Sequence, residues 1–132
     1  MRFLFSILAV LMLAALPLSK PAHALECNQN ATISVTAAAT TQLVAAVTGR
    51  SIRVCNFAIT ISATGTAKFV RGTGTNCGTG TTDVTAAMAI LGNTAVTMAG
   101  GEGNVMRITA SNALCLTAVT GNVTGYLNYS IF

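Results

Sequence analysis

The side chains able to do chemistry in this chain are few, and their spacing narrows what they can do. Four cysteines, Cys27, Cys55, Cys77 and Cys115, are the most informative. A zinc site needs close pairs such as C-x-x-C, usually with histidine nearby. No two of these cysteines stand closer than Cys55 and Cys77, and the one histidine, His23, precedes them all. An even count in an exported chain reads instead as two disulfides, with three connectivities open. No metal and no other cofactor is expected.

The acids offer little for catalysis. They are Glu26, Asp83 and Glu102, so a glycosidase-type carboxylate pair would have to be Asp83 with Glu102. A serine or threonine nucleophile needs a base, and after residue 24 there is no histidine and Lys68 is the only lysine. Calcium wants grouped carboxylates, which the chain lacks. The run GTGTNCGTGTT at residues 72–82 resembles a phosphate loop only in its glycines: no lysine and Ser/Thr follow the last of them. Nor is there a sustained repeat that could stack threonines into an ice-binding ladder. The expectation is a non-enzyme, with 72–82 a surface loop pinned by Cys77.

What remains is surface. Tyr126 falls on the face opposite Leu127 and Tyr129, where its ring could stack on a sugar or simply pack half-buried. Arg50, Arg53, Lys68 and Arg71 are expected to cluster, because pairing of neighbouring strands would bring Arg53 and Arg71 together. Such a patch would hold an anionic glycan or a neighbouring subunit. Tyr126, Arg53 and Arg71 are thus the candidate surface contacts. Nucleic acid is excluded as a partner, since that needs clustered cations and usually aromatic platforms. Three N-x-S/T triplets, at Asn30, Asn122 and Asn128, carry no weight in a chain this rich in Thr and Asn.

The N-terminal segment sets the compartment. Arg2 precedes an apolar run over residues 3–18, Pro17 breaks it, and Ala22-His23-Ala24 has the small-x-small pattern of a cleavage site. The run is shorter than the roughly 20 residues a spanning helix needs. A lipid anchor on Cys27 would want a small residue before it, and Glu26 stands there. Residues 1–24 therefore read as a cleaved signal peptide, and 25–132 as one domain, secreted, periplasmic or displayed on the cell surface. No membrane span is expected after cleavage. The mature part keeps five cations (Arg50, Arg53, Lys68, Arg71, Arg107) against the three acids, so much of the precursor's basicity belongs to the leader.

The elements that must position these groups are strands. Val, Ile and Thr are abundant, charge is scarce, and Gly/Asn breaks recur at short intervals. Over residues 51–62, Cys55, Phe57, Ile59 and Ile61 alternate with Val54, Asn56, Ala58 and Thr60. A turn at 63–65 leads to 66–71, predicting a hairpin that carries Cys77 back to Cys55. Cys55–Cys77 with Cys27–Cys115 is accordingly the preferred pairing. A closing strand over 122–132 puts Val123, Leu127, Tyr129 and Ile131 on one face, and its apolar 125–132 stretch would suit strand addition to a partner. Weaker strands fill 31–36, 41–47, 83–91, 94–98, 104–109 and 113–119, although 37–46 and 84–91 could each form a short helix. The fold class is all-β: an antiparallel β-sandwich, jelly-roll-like, with two disulfides.

Four stretches resemble small Gly/Thr-rich β-sandwich proteins of bacteriophage and prophage-bearing bacteria. They are IRVCNF at 52–57, KFVRGTGTNCGTGTT at 68–82, SNALCL at 111–116 and GYLNY at 125–129. The resemblance spans about residues 27–132 and implies a virion-surface or decoration component, or an exported relative of one. The leader departs from that pattern, because virion proteins assemble in the cytoplasm, and it shifts the expectation toward an exported structural or surface protein. That protein would form a homo-oligomer or larger assembly; the alternative is a secreted module binding a glycan or cell surface. N-terminal sequencing of the exported protein should start at Leu25, and retention of residues 1–24 would contradict the leader assignment.

Overall fold

With so many β-branched residues and so little charge, the chain buries itself as alternating strands. The computed structural model describes residues 26–100 and 104–132, so the expected leader at 1–24 and Glu102 lie outside what is described. Among the described residues the strands run β1 (Gln29–Val35), β2 (Ala39–Val44), β3 (Ile52–Ile61), β4 (Gly65–Thr73), β5 (Thr79–Asp83), β6 (Met88–Ile90), β7 (Ala95–Ala99), β8 (Met106–Ile108), β9 (Ala113–Ala118) and β10 (Val123–Ile131). A 3-10 turn at Thr75–Cys77 separates β4 from β5. The helices considered for 37–46 and 84–91 do not form; these stretches carry β2 and β6. Asp83 ends a strand instead of opening one.

The strands make two antiparallel sheets. In the first the order is β1-β10-β3, with β7 and β8 lying one after the other along the far edge of β3. The second repeats the plan as β2-β9-β4, with β5 and β6 sharing the far edge of β4. Ile33, Val35, Ile59 and Leu127 of the first sheet join Val44, Leu114 and Leu116 of the second in one buried cluster. At its centre Phe57 meets Phe69 across the sheets, ring centroids 4.9 Å apart and tilted by 60°. Such a pair contributes about 0.5–1.5 kcal/mol beyond the area it buries.

The expected hairpin is corrected by this arrangement. β3 and β4 belong to different sheets, and residues 62–64 carry the chain across the sandwich. Both strands need an apolar face covered, and facing each other across the core covers both at once. Pairing edge to edge would have left Phe57 and Phe69 side by side, still needing a lid. The disulfides follow suit: the bonds are Cys27–Cys55 and Cys77–Cys115, not the preferred pairing.

The facing of β3 is also corrected. Ile52 and Val54 are buried, and so are Phe57, Ile59 and Ile61, two sets out of phase with each other. A one-residue bulge reconciles them: Asn128 of β10 pairs with Asn56 and Tyr129 with Val54, so Cys55 is passed over. Val54 therefore joins the core that the simple alternation gave to Cys55.

β10 is paired along both edges, to β1 and to β3. The stretch expected to suit strand addition is thus an interior strand of the sheet. Gly125, at φ 155°, lets it lie close to β3, since a Cβ there would collide with the Ala58 carbonyl oxygen. No helix among the described residues is long and apolar enough to cross a membrane. Phe69→Ala should lower the unfolding free energy by about 3–5 kcal/mol in urea titration. The exposed Met98→Ala should stay within about 0.5 kcal/mol, and equal effects would contradict the core described here.

Candidate binding face

The two outer faces of the sandwich differ. On the second sheet, Val70, Ala113 and Cys115 are buried although they point away from the main core. The loop after β4 covers them. Cys77 bonds Cys115, and Asn76 Oδ1 accepts the Gln42 amide of β2 at 3.1 Å, so the loop straddles three strands. Asn76 and Cys77 both take left-handed backbone angles (φ 52° and 57°) to make that approach. The expectation of a loop pinned by Cys77 holds at residues 74–78, whereas 79–83 form β5.

The first sheet presents its outer residues as registered rows. Asn30, Asn128 and Asn56 stand opposite one another on β1, β10 and β3. Asn30 Nδ2 donates to Asn128 Oδ1 at 2.8 Å, and Asn128 Nδ2 donates to Asn56 Oδ1 at 2.9 Å. The next row runs Thr32, Tyr126, Ala58 and Thr97 across β1, β10, β3 and β7. The third runs Ser34, Thr124, Thr60 and Ala95, with the Thr60 and Thr124 hydroxyls 3.0 Å apart. Cross-strand amide and hydroxyl pairs of this kind fix register as well as adding stability.

Tyr126 is 48% exposed at the middle of this face. Beside it lies a shallow depression of about 210 Å3, floored by Ala58, Thr60, Ala95, Thr124 and Gly125. A second, of about 460 Å3, continues past Thr60 and Thr124 to Ser62, Asn93 and Asn122 at the end of the sandwich. Asn122 is held there by three bonds: its Oδ1 accepts the Ala37 amide at 3.0 Å, its backbone amide donates to Ser62 Oγ at 2.9 Å, and its carbonyl accepts the Ser62 amide at 2.9 Å. No charged side chain among the described residues lines either depression.

The cations are arranged otherwise than expected. Arg53 and Arg71 lie in different sheets, so strand pairing does not join them; Arg53 stands opposite Arg107 of β8. Arg107 lies over the Phe132 ring at 5.0 Å, and Arg71 donates to Thr109 Oγ1 at 2.9 Å. Lys68 is paired with Asp83 at 2.8 Å, and Arg50 donates to the Ile131 carbonyl at 3.3 Å. Asp83 is therefore a partner of Lys68, while its proposed companion Glu102 lies outside the described residues. The described residues contain no group of three or more His, Cys, Asp or Glu able to hold a metal.

Sequence reading found Tyr126 through its parity but missed the asparagine row, since only register shows which residues stand opposite. Asn128→Ala removes two amide bonds and should cost about 1–2 kcal/mol in thermal or urea unfolding. Asn30→Ala, which removes one exposed bond, should cost less, and the reverse order would contradict the row. Comparison with protein-family models, curated proteins and solved structures finds no match, so the functional reading rests on this geometry.

Proposed function

We propose that this chain is an exported, non-catalytic structural or surface protein that works as a subunit or coat of a larger assembly. One observation carries the reading: two disulfides each clamp a segment outside the strands onto a sheet, Cys27 ahead of β1 and Cys77 after β4. Bridges of this kind persist in oxidising compartments and suit a small domain that must stay folded outside the cell. The strand order supports a jelly-roll winding. With β5/β6 and β7/β8 each counted as one interrupted strand, the sheets read 1-8-3-6 and 2-7-4-5, and nearly every connection crosses between them. Kinship with phage-type decoration proteins belongs to this proposal and rests on the motif resemblance.

Assembly would have to use faces or outer edges, because β10 is already paired on both sides. The interrupted edges β5/β6 and β7/β8 are poor templates for strand addition, since short broken edges discourage it. Size-exclusion chromatography with light scattering on residues 25–132 should show a defined oligomer at high micromolar concentration. A monomer throughout would overturn the assembly role.

A further inference from the structure

We propose that the groove beside Tyr126, on the outer face of the first sheet, is a binding site for a short neutral oligosaccharide. The site is independent of any self-assembly. Three features of the groove match that ligand. Tyr126, about half exposed at one end and next to the small Ala58, supplies an aromatic ring on which a pyranose can lay its C–H face. The floor carries the Thr60 and Thr124 hydroxyls, which are 3.0 Å apart and can exchange hydrogen bonds with sugar hydroxyls. The far end carries the side-chain amides of Asn93 and Asn122. Asn122 uses its Oδ1 on the Ala37 amide, which orients the side chain and leaves Nδ2 as the donor for a ligand.

An apolar platform with a few fixed polar groups is the usual make-up of a small-molecule site. Its lack of charge selects the ligand class. Neither depression has a cation to meet a sulfate or uronate, nor an acid to meet an amine. A neutral sugar, rich in hydroxyls and with one apolar face, fits where an anionic glycan does not. From Tyr126 to Asn122 is four residues of extended strand, roughly 13 Å, which is room for several rings of a chain and not one monosaccharide. The face is also prepared in advance. The asparagine row, the Thr60–Thr124 contact and pairing of β10 on both sides hold its strands in register, so binding would order little that is not already ordered. By contrast, the corresponding part of the second sheet is roofed by the Cys77 loop.

The test is calorimetric titration of residues 25–132 with neutral hexasaccharides: cellohexaose, laminarihexaose, xylohexaose and mannohexaose. Heparin and polygalacturonate oligomers serve as the charged arm. At least one neutral hexasaccharide should bind, its monosaccharide should bind at least tenfold more weakly, and the charged arm should not bind. Tyr126→Ala should weaken binding at least tenfold, while Tyr126→Phe should keep it within about threefold, because the ring and not its hydroxyl does the stacking. Ala58→Trp, which fills the depression without removing the tyrosine, should abolish binding. Circular dichroism would confirm that each variant keeps its strands. Absence of binding across the neutral panel, binding indifferent to both Tyr126→Ala and Ala58→Trp, or a preference for the charged arm would each overturn the proposal.

Discussion

The fold turns on a phase problem in β3. Ile52 and Val54 must face the core, and so must Phe57, Ile59 and Ile61, yet a regular strand cannot turn both sets the same way. Passing over Cys55 solves this, and much else follows from it. The Val54 side of the bulge pairs with Met106 of β8, the Asn56 side with Ala99 of β7, and the far edge is divided there between two short strands. Gly100 and Val105 donate to the Cys55 and Val54 carbonyls on either side of the division. Cys55 itself is left outside the core, where Cys27 reaches it.

The two disulfides then do different work. Cys27–Cys55 draws the segment ahead of β1 over to β3, past the intervening β10. Cys77–Cys115 closes a small second core over the outer side of β4 and β9. Each should stabilise the fold by about 2–4 kcal/mol, set against the 5–15 kcal/mol typical of a whole domain. For a core whose large fully buried side chains are Phe, Ile and Leu without tryptophan, that share is considerable. The Cys77 loop roofs one outer face, while around Tyr126 the other stays open and carries hydroxyls and amides.

Alternation made most strands legible: β1, β9 and β10 fall within a residue or two of where their apolar periods put them. It could not show sheet membership. A short link such as 62–64 suits a hairpin and an arch equally well, and the choice depends on which apolar faces find each other. Taking the hairpin led to the Cys55–Cys77 pairing and to strand pairing as the reason for joining Arg53 with Arg71, and the sheet order removes both grounds. The bulge had a signal that strict alternation concealed, namely the shift in parity from Ile52 and Val54 to Phe57, Ile59 and Ile61. Of the face itself, Tyr126 was legible because it opposes Leu127. Its companions Thr32, Ala58 and Thr97 were not, since cross-strand neighbours come from register.

The sandwich is clamped by two disulfides, and the uncharged part of its first outer face is confined to the depressions beside Tyr126, apart from the Arg53–Arg107 row. All of this depends on β3 and β4 lying in opposite sheets with Cys55 turned out of the core. Peptide mapping of the protein, purified without reductant and digested under non-reducing conditions, probes that most directly. The account predicts cross-linked peptides joining Cys27 to Cys55 and Cys77 to Cys115. A Cys55–Cys77 peptide, or free thiols at these positions, would contradict it.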